Sequence, residues 1–300
     1  MTAIEVQDLT KRFGAVTAVN GVSFEVQPGL VTGYLGPNGA GKTTTLRMIL
    51  GLAHPTSGTA MVEGARYADL AEPTRTVGAV LERSGFHPGR RARDHLRTVA
   101  RAARLPDSRA DEVLEAVALT DAGGRRAGQY SLGMRQRLAL ATALLGEPRI
   151  LILDEPANGL DPQGIRWLRD YLRWYAAQGR TVLVSSHVLA EMSQTADAVI
   201  VIARGEVVAQ GPLDEIVAGA SGGAVVVRSP GAEQLAAALR DEGFGVDTAG
   251  DGSLLVTGAE TAAVGDLALR EGVAVHELRE RAASLEDVFF ELTGDESRPS

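Results

Sequence analysis

The residues best suited to chemistry sit in two short stretches. The first, Gly36-Pro37-Asn38-Gly39-Ala40-Gly41-Lys42-Thr43, fits the pattern G-x-x-x-x-G-K-[ST] and runs on into Thr44. Glycines at this spacing let the backbone curl so that successive N–H groups, and the start of the helix behind them, face phosphate oxygens. Gly36, Asn38, Gly39, Ala40, Gly41 and Thr44 are therefore candidate phosphate contacts. Lys42 can reach β- and γ-phosphates, and Thr43 can ligate magnesium. A chance match in a chain of this length is on the order of one in a hundred, which outweighs an ordinary glycine turn. Of the 30 basic residues only Lys11 and Lys42 are lysine, so one of two compact, strongly hydrated cations is placed in this loop. The second stretch, Arg149-Ile150-Leu151-Ile152-Leu153-Asp154-Glu155-Pro156, ends an apolar run in two carboxylates. Asp154 can hold magnesium through a water, and Glu155 can act as general base on an attacking water. An acidic pair after a strand is often only a capping turn. Beside a phosphate loop it gains a hydrolytic meaning.

Such residues need apolar strands that end side by side. Residues 30–35 read as a buried strand running into the glycine loop, and 42–52 as the helix after it. Strands are expected again at 76–82, 149–153 and 181–184, with a helix between the last two whose Ile165, Leu168, Leu172 and Tyr175 share a face. Alternating strands and helices favour a mostly parallel sheet covered on both sides. Val22, Phe24 and Val26 alternate as in a half-buried antiparallel strand, while 93–105 and 109–119 are helical with no strand between them, an all-helical insert. After Gly211 the pattern changes. Residues 220–224 read as a linker, and strand 225–228, helix 232–241, strands 244–248 and 253–257, helix 260–270 and strand 273–277 match a small split βαβ, ferredoxin-like unit. A last helix is expected at 284–292.

Composition limits the alternatives. With 45% apolar residues the 300-residue chain can bury a large core. No apolar run is long enough for a membrane-spanning helix, and the N-terminus lacks the apolar core of a secretory signal, so a cytoplasmic address is expected. Absence of cysteine excludes thiolate metal sites and disulfides, and the five histidines are scattered. A net charge of −8 argues against a general grip on nucleic acid.

The block from Tyr130 to Pro162, YSLGMRQRLALATALLGEPRILILDEPANGLDP, resembles the signature and Walker B region of ATP-binding cassette (ABC) proteins, and the likeness extends over about residues 4–211 with its motifs in family order. The resemblance implies an α/β fold: a P-loop NTPase core with a mostly parallel sheet, an N-terminal antiparallel β layer and a helical subdomain at about 84–146, all within residues 1–219. A small α+β domain would follow at 220–300. It also implies ATP and Mg2+ as ligands, ATP hydrolysis, and head-to-tail pairing of two cassettes, in which Ser131 and Gly133 of one chain meet the γ-phosphate held by the other. Ser131 lies at the start of a long helix, where its hydroxyl and orphan N–H groups suit an anion; an ordinary N-cap is compatible with that. By the same resemblance Phe13 would stack on adenine, His187 would touch the γ-phosphate and steady the attacking water, and Asp161 would communicate across the dimer. Taken singly, each of these has a structural alternative: core packing, a strand-end histidine, and a cap before Pro162.

Two departures stand out. Glu82 occupies a place where the family usually has a glutamine that senses magnesium and the transporter partner; a carboxylate keeps an oxygen ligand but loses an N–H donor. Leu132 replaces the first signature glycine and Met134 its glutamine. These departures resemble a subgroup of exporters for drugs and antimicrobial peptides, similar to those for daunorubicin or bacitracin. The expectation is an ATPase subunit peripheral to the cytoplasmic face of the cell membrane, driving export through a separate transmembrane permease and working as a homodimer or with a paired cassette, without a nucleic-acid partner. The basic run 87–93 reads by itself as a solvated face; the resemblance implies that this region docks the permease. A non-transport cassette ATPase acting on ribosomes or nucleic acid is the alternative. A guanine-specific enzyme is disfavoured because each asparagine (Asn20, Asn38, Asn158) precedes glycine, leaving no Asn-Lys-x-Asp reader.

Overall fold

The computed structural model describes residues 2–81, 85–218 and 224–281, together with Leu285 and Phe289. The chain divides into two compact units, Met1–Leu213 and Asp214–Ser300, against the 219/220 division read from the sequence.

The first unit opens with β1 (Ile4–Phe13) and β2 (Val16–Val26), then β3 (Val31–Leu35), α1 (Lys42–Ile49), β4 (Ser57–Val62), the single turn α2 (Pro73–Thr76) and β5 (Val77–Val80). A helical insert follows: α3 (Ala92–Ala102), α4 (Arg109–Ala116) and α5 (Leu132–Leu144). The remainder alternates through β6 (Ile150–Asp154), α6 (Pro162–Ala177), β7 (Thr181–Ser186), the short α7 (Leu189–Met192), β8 (Ala198–Ala203) and β9 (Glu206–Pro212), and the boundary to the second unit falls at the start of α8 (Leu213–Ala218).

Two sheets result. Strands β2-β1-β4 form the antiparallel layer. The six-stranded sheet runs β5-β6-β7-β3-β8-β9, parallel except at β9. Its inner strands β3, β6 and β7 are buried at every position, which is why they read as near-continuous apolar runs rather than alternating ones. Between the two sheets lies a core that includes Leu9, Phe24, Tyr34, Leu46 and Ile152; each such side chain contributes roughly 1.5–3 kcal/mol by leaving water. In the insert, Ala92, Leu96 and Ala100 recur at i, i+4 and i+8 on the buried face of α3.

The second unit is β10 (Ala224–Arg228), α9 (Ala232–Asp241), β11 (Gly245–Thr248), β12 (Leu254–Thr257), α10 (Thr261–Arg270) and β13 (Glu277–Arg281). Its all-antiparallel order β11-β12-β10-β13 is the split βαβ arrangement expected from the element sequence. One strand is corrected. Residues 273–277 read as the last strand, yet pairing with β10 begins only at Glu277, opposite Arg228. Val273 and Val275 instead pack, partly buried, against the core of this unit, and the Val273 N–H closes the end of α10 on the Ala268 carbonyl. The true strand, ELRER, is a charged edge, so its polarity hid it. The expected helix at 284–292 lies outside the described residues apart from Leu285 and Phe289, both buried. Among the described residues no helix is long and apolar enough to cross a membrane.

Candidate active site

Three strands of the parallel sheet end together. In the order β6-β7-β3, Asp154 stands beside Ser185 and Leu35 beside Ser186. The residues that leave each strand, Glu155, His187 and Gly36, are thus delivered to one edge, the place where open α/β sheets bind ligands.

The loop between β3 and α1 turns on Gly41, the helix N-cap, at φ 104°. A Cβ there would lie 2.5 Å from the Ala18 carbonyl oxygen of β2, so backbone conformation and neighbour both require glycine. Gly36 and Ala40 are buried, Asn38 and Gly39 are exposed, and Thr44 is half-buried. Lys42, only 6% exposed, folds back over the loop. Its Nζ donates to the carbonyls of Gly36 (2.6 Å) and Pro37 (3.2 Å) and lies 3.2 Å from Glu155 Oε1.

A second network holds the carboxylates. Thr43 Oγ1 donates to Asp154 Oδ2 at 2.8 Å, and Ser185 Oγ donates to Asp154 Oδ1 at 2.7 Å. Asp154 is 1% exposed, and a buried charge of this kind survives only with both oxygens satisfied. Ser185 Oγ also accepts the Glu155 N–H at 3.0 Å, while His187 Nδ1 sits 2.8 Å from Glu155 Oε2. Glu155 is held at φ 49°, a left-handed conformation that costs a non-glycine residue about 1–3 kcal/mol and tends to mark functional positions. Its Oε1 is buried without a hydrogen bond and is balanced by the Lys42 cation.

The other expected residues fall outside this network. Ser131 caps α5, its Oγ accepting the Met134 N–H at 3.2 Å, and Gly133 follows inside the first turn. Asp161 caps α6, accepting the Gly164 N–H at 2.7 Å, with Pro162 at the first helical position. Phe13 is exposed at the end of β1, with Lys11 Nζ 5.0 Å from its ring centre. It pairs with Val16 on the same hairpin whose Ala18 carbonyl faces Gly41. Glu82 lies outside the described residues.

Two contributors escaped the sequence. Ser185 anchors both Asp154 and the Glu155 backbone; the signal was a hydroxyl ending the apolar run TVLV, a polar group that burial obliges to find a partner. Glu191, on α7, shares the wall of a small cavity with Glu155. Desolvation raises its pKa, the charge of Glu155 adds to the rise, and His187 opposes it.

Thr43 and Asp154 place hydroxyl and carboxylate oxygens side by side at the mouth of the glycine loop, a hard-oxygen pair of the kind magnesium favours. Among the described residues no group of three or more His, Cys, Asp or Glu could form a metal cage, so a cation here would take phosphate oxygens and water as further ligands.

The model of the family described as "ABC transporter" matches residues 19–158. Bacitracin transport ATP-binding protein BcrA of Bacillus licheniformis is 41% identical over 218 residues, covering 72% of this chain and 71% of the relative. Daunorubicin resistance ATP-binding protein DrrA3 of Streptomyces coeruleorubidus is 39% identical over 310 residues, covering 99% and 98%. The chain belongs to the ABC transporter ATP-binding proteins. It is an ATP-binding cassette ATPase of the transport-coupled kind. A solved ATP-binding subunit of an ABC transporter, 32% identical, superposes on the cassette with a TM-score of 0.65, covering 72% of this chain and 92% of that one. Residues 223–286 match the model of a domain of unknown function (DUF8746).

Proposed function

We propose that this cassette is the ATP-hydrolysing motor of an export complex, acting on the cytoplasmic face of the membrane through a separate permease and paired head to tail with a second cassette. The observation that supports it most is the meeting of Lys42, Glu155 and His187 with Thr43, Asp154 and Ser185 at the ends of β3, β6 and β7.

The glycine loop, with Gly36, Asn38, Gly39, Ala40, Gly41 and Thr44, would cradle the phosphates of ATP, and Phe13 would stack on adenine. Thr43 and Asp154 would hold Mg2+, which supplies charge neutralisation across the β- and γ-phosphates. Lys42 has three donors, two of them already on loop carbonyls. A γ-phosphate would compete with Glu155 for the third, releasing Oε1 to accept a proton from the attacking water. His187 meets the other carboxylate oxygen through Nδ1, and with both ring nitrogens protonated its Nε2–H would donate to the γ-phosphate. Ser131 uses its oxygen lone pair on Met134 N–H, so its own O–H remains to donate to a phosphate carried by the paired subunit, beside Gly133, with Asp161 on the neighbouring loop. We assign Glu82 to magnesium and partner sensing.

The names of the similar bacitracin and daunorubicin proteins support export of a drug or antimicrobial peptide. Tagged full-length chain recovered from membranes should bring a multispanning protein with it and hydrolyse Mg-ATP. Recovery with ribosomes or nucleic acid in its place would overturn the motor role.

A further inference from the structure

The first two residues of α5 pack differently against the loop that carries Glu155. Gly133 admits Leu160, whose Cδ2 would be 3.5 Å from a Cβ placed there. Leu132 is 52% exposed on its outer side, yet its Cδ2 covers Gly159 so closely that a Cβ at that glycine would fall 2.2 Å away. Gly159 itself holds φ +73°. The loop from Glu155 to the α6 cap Asp161 is short and bonded to itself: the Asn158 N–H donates to the Glu155 carbonyl at 3.2 Å and the Leu160 N–H to the Ala157 carbonyl at 3.0 Å. Leu132 also shares with Asp154, Glu155 and Asn158 the wall of a cavity of about 440 Å3.

We propose that Leu132 is a positioning residue for hydrolysis: packed over Gly159, it ties the N-terminus of α5 to the loop of Glu155 in the same subunit. The N–H groups of Leu132 and Gly133 are among the orphan donors of that helix end, since Ser131 takes those of Met134 and Arg135 through its Oγ and carbonyl. An anion drawn to these donors pulls on the helix end, and the Leu132 side chain resting on Gly159 links that end to the loop of Glu155. The signature glycine at this position in the resembled family has no side chain with which to make such a tie. This role presupposes Glu155 as general base.

The test uses full-length protein with Mg-ATP turnover and binding of a fluorescent ATP analogue. Leu132→Gly should lower kcat about tenfold while KM and analogue affinity stay within about twofold, the pattern of a misplaced catalytic group. Leu132→Met should recover most of the loss. Gly159→Ala, strained at φ +73° in either background, should also slow turnover, but by less in the Leu132→Gly background than in wild type, because the side chain it would displace is gone. Wild-type kcat in Leu132→Gly, or fully multiplicative effects in the cycle, overturns the positioning role. Glu155→Gln run alongside separates the two ideas: turnover retained there refutes the base, whereas loss of turnover in Glu155→Gln beside wild-type kcat in Leu132→Gly refutes only the tie. Leu132→Ala serves in the same cycle if the glycine variant does not fold.

Discussion

In the N-terminal unit, polar side chains go deep where the parallel strands end: Lys42, Thr45, Asp154, Ser185 and Ser186 are all 6% exposed or less. The core of the C-terminal unit, running from Val225 through Leu235, Leu254 and Val264 to Ala268, is aliphatic. Among its described residues the buried polar side chain is Ser253, which turns to Asp251 at a strand end. Each buried polar group left unsatisfied costs about 1–3 kcal/mol. The first unit accepts that risk repeatedly at one edge and covers it with hydrogen bonds; among the described residues of the second there is no comparable edge. The polar network of the candidate active site therefore lies in the first unit, while the described core of the second unit is aliphatic.

That contrast can be broken in several ways. The largest effect is expected for Gly41→Ala, whose Cβ would meet the Ala18 carbonyl at φ +104°. Nucleotide affinity should fall by about 100-fold or more, read by titration, since strain and clash of several kcal/mol fall on the loop itself. Next, Leu235→Ala, at a fully buried position of the C-terminal core, should destabilise that unit by about 2–5 kcal/mol in denaturant melts. ATP turnover should stay within about twofold; a collapse of turnover would erase the division of labour between the units. Ser185→Ala, by removing a donor from buried Asp154 and the acceptor of the Glu155 N–H, should cost about 1–3 kcal/mol and slow hydrolysis while the C-terminal unit melts unchanged. The smallest effect concerns pH. His95, packed against Phe86 and 3.3 Å from Thr142, has its pKa pushed below 6.5 by burial and then by the charge of Arg90. The fold favours the neutral ring, so this stability is complete above the unfolded pKa and is lost as pH falls below it. Melting of the N-terminal unit should drop between about pH 7.5 and about pH 5.5, and the drop should shrink in His95→Gln.

Much of this was legible in the sequence, for physical reasons specific to each element. Buried parallel strands such as RILILD and TVLVSS are near-continuous apolar runs, so β6 and β7 stood out, and with β6 the carboxylates Asp154 and Glu155; His187 came only from the family resemblance. The glycine loop announced itself because only glycine tolerates φ 104° beside a neighbouring carbonyl. The partners were harder. Ser185 is one hydroxyl at the end of a strand, and its two hydrogen bonds reach 30 and 31 residues away, a distance that no local spacing encodes. Strand β13 hid behind its charges, and β2 began earlier than its alternation because exposed Val16 lies beyond the buried face. Leu132 could be seen as a departure, but its contact with Gly159 depends on a helix end meeting a loop.

The most direct test of the account is Glu155→Gln in the full chain, assayed for Mg-ATP binding and turnover together. Affinity should stay within about threefold of wild type while kcat falls by roughly 10²–10⁴-fold, the usual contribution of a positioned general base. Hydrolysis at the wild-type rate would contradict it, leaving the carboxylate at the end of β6 as a structural partner of Lys42 and nothing more.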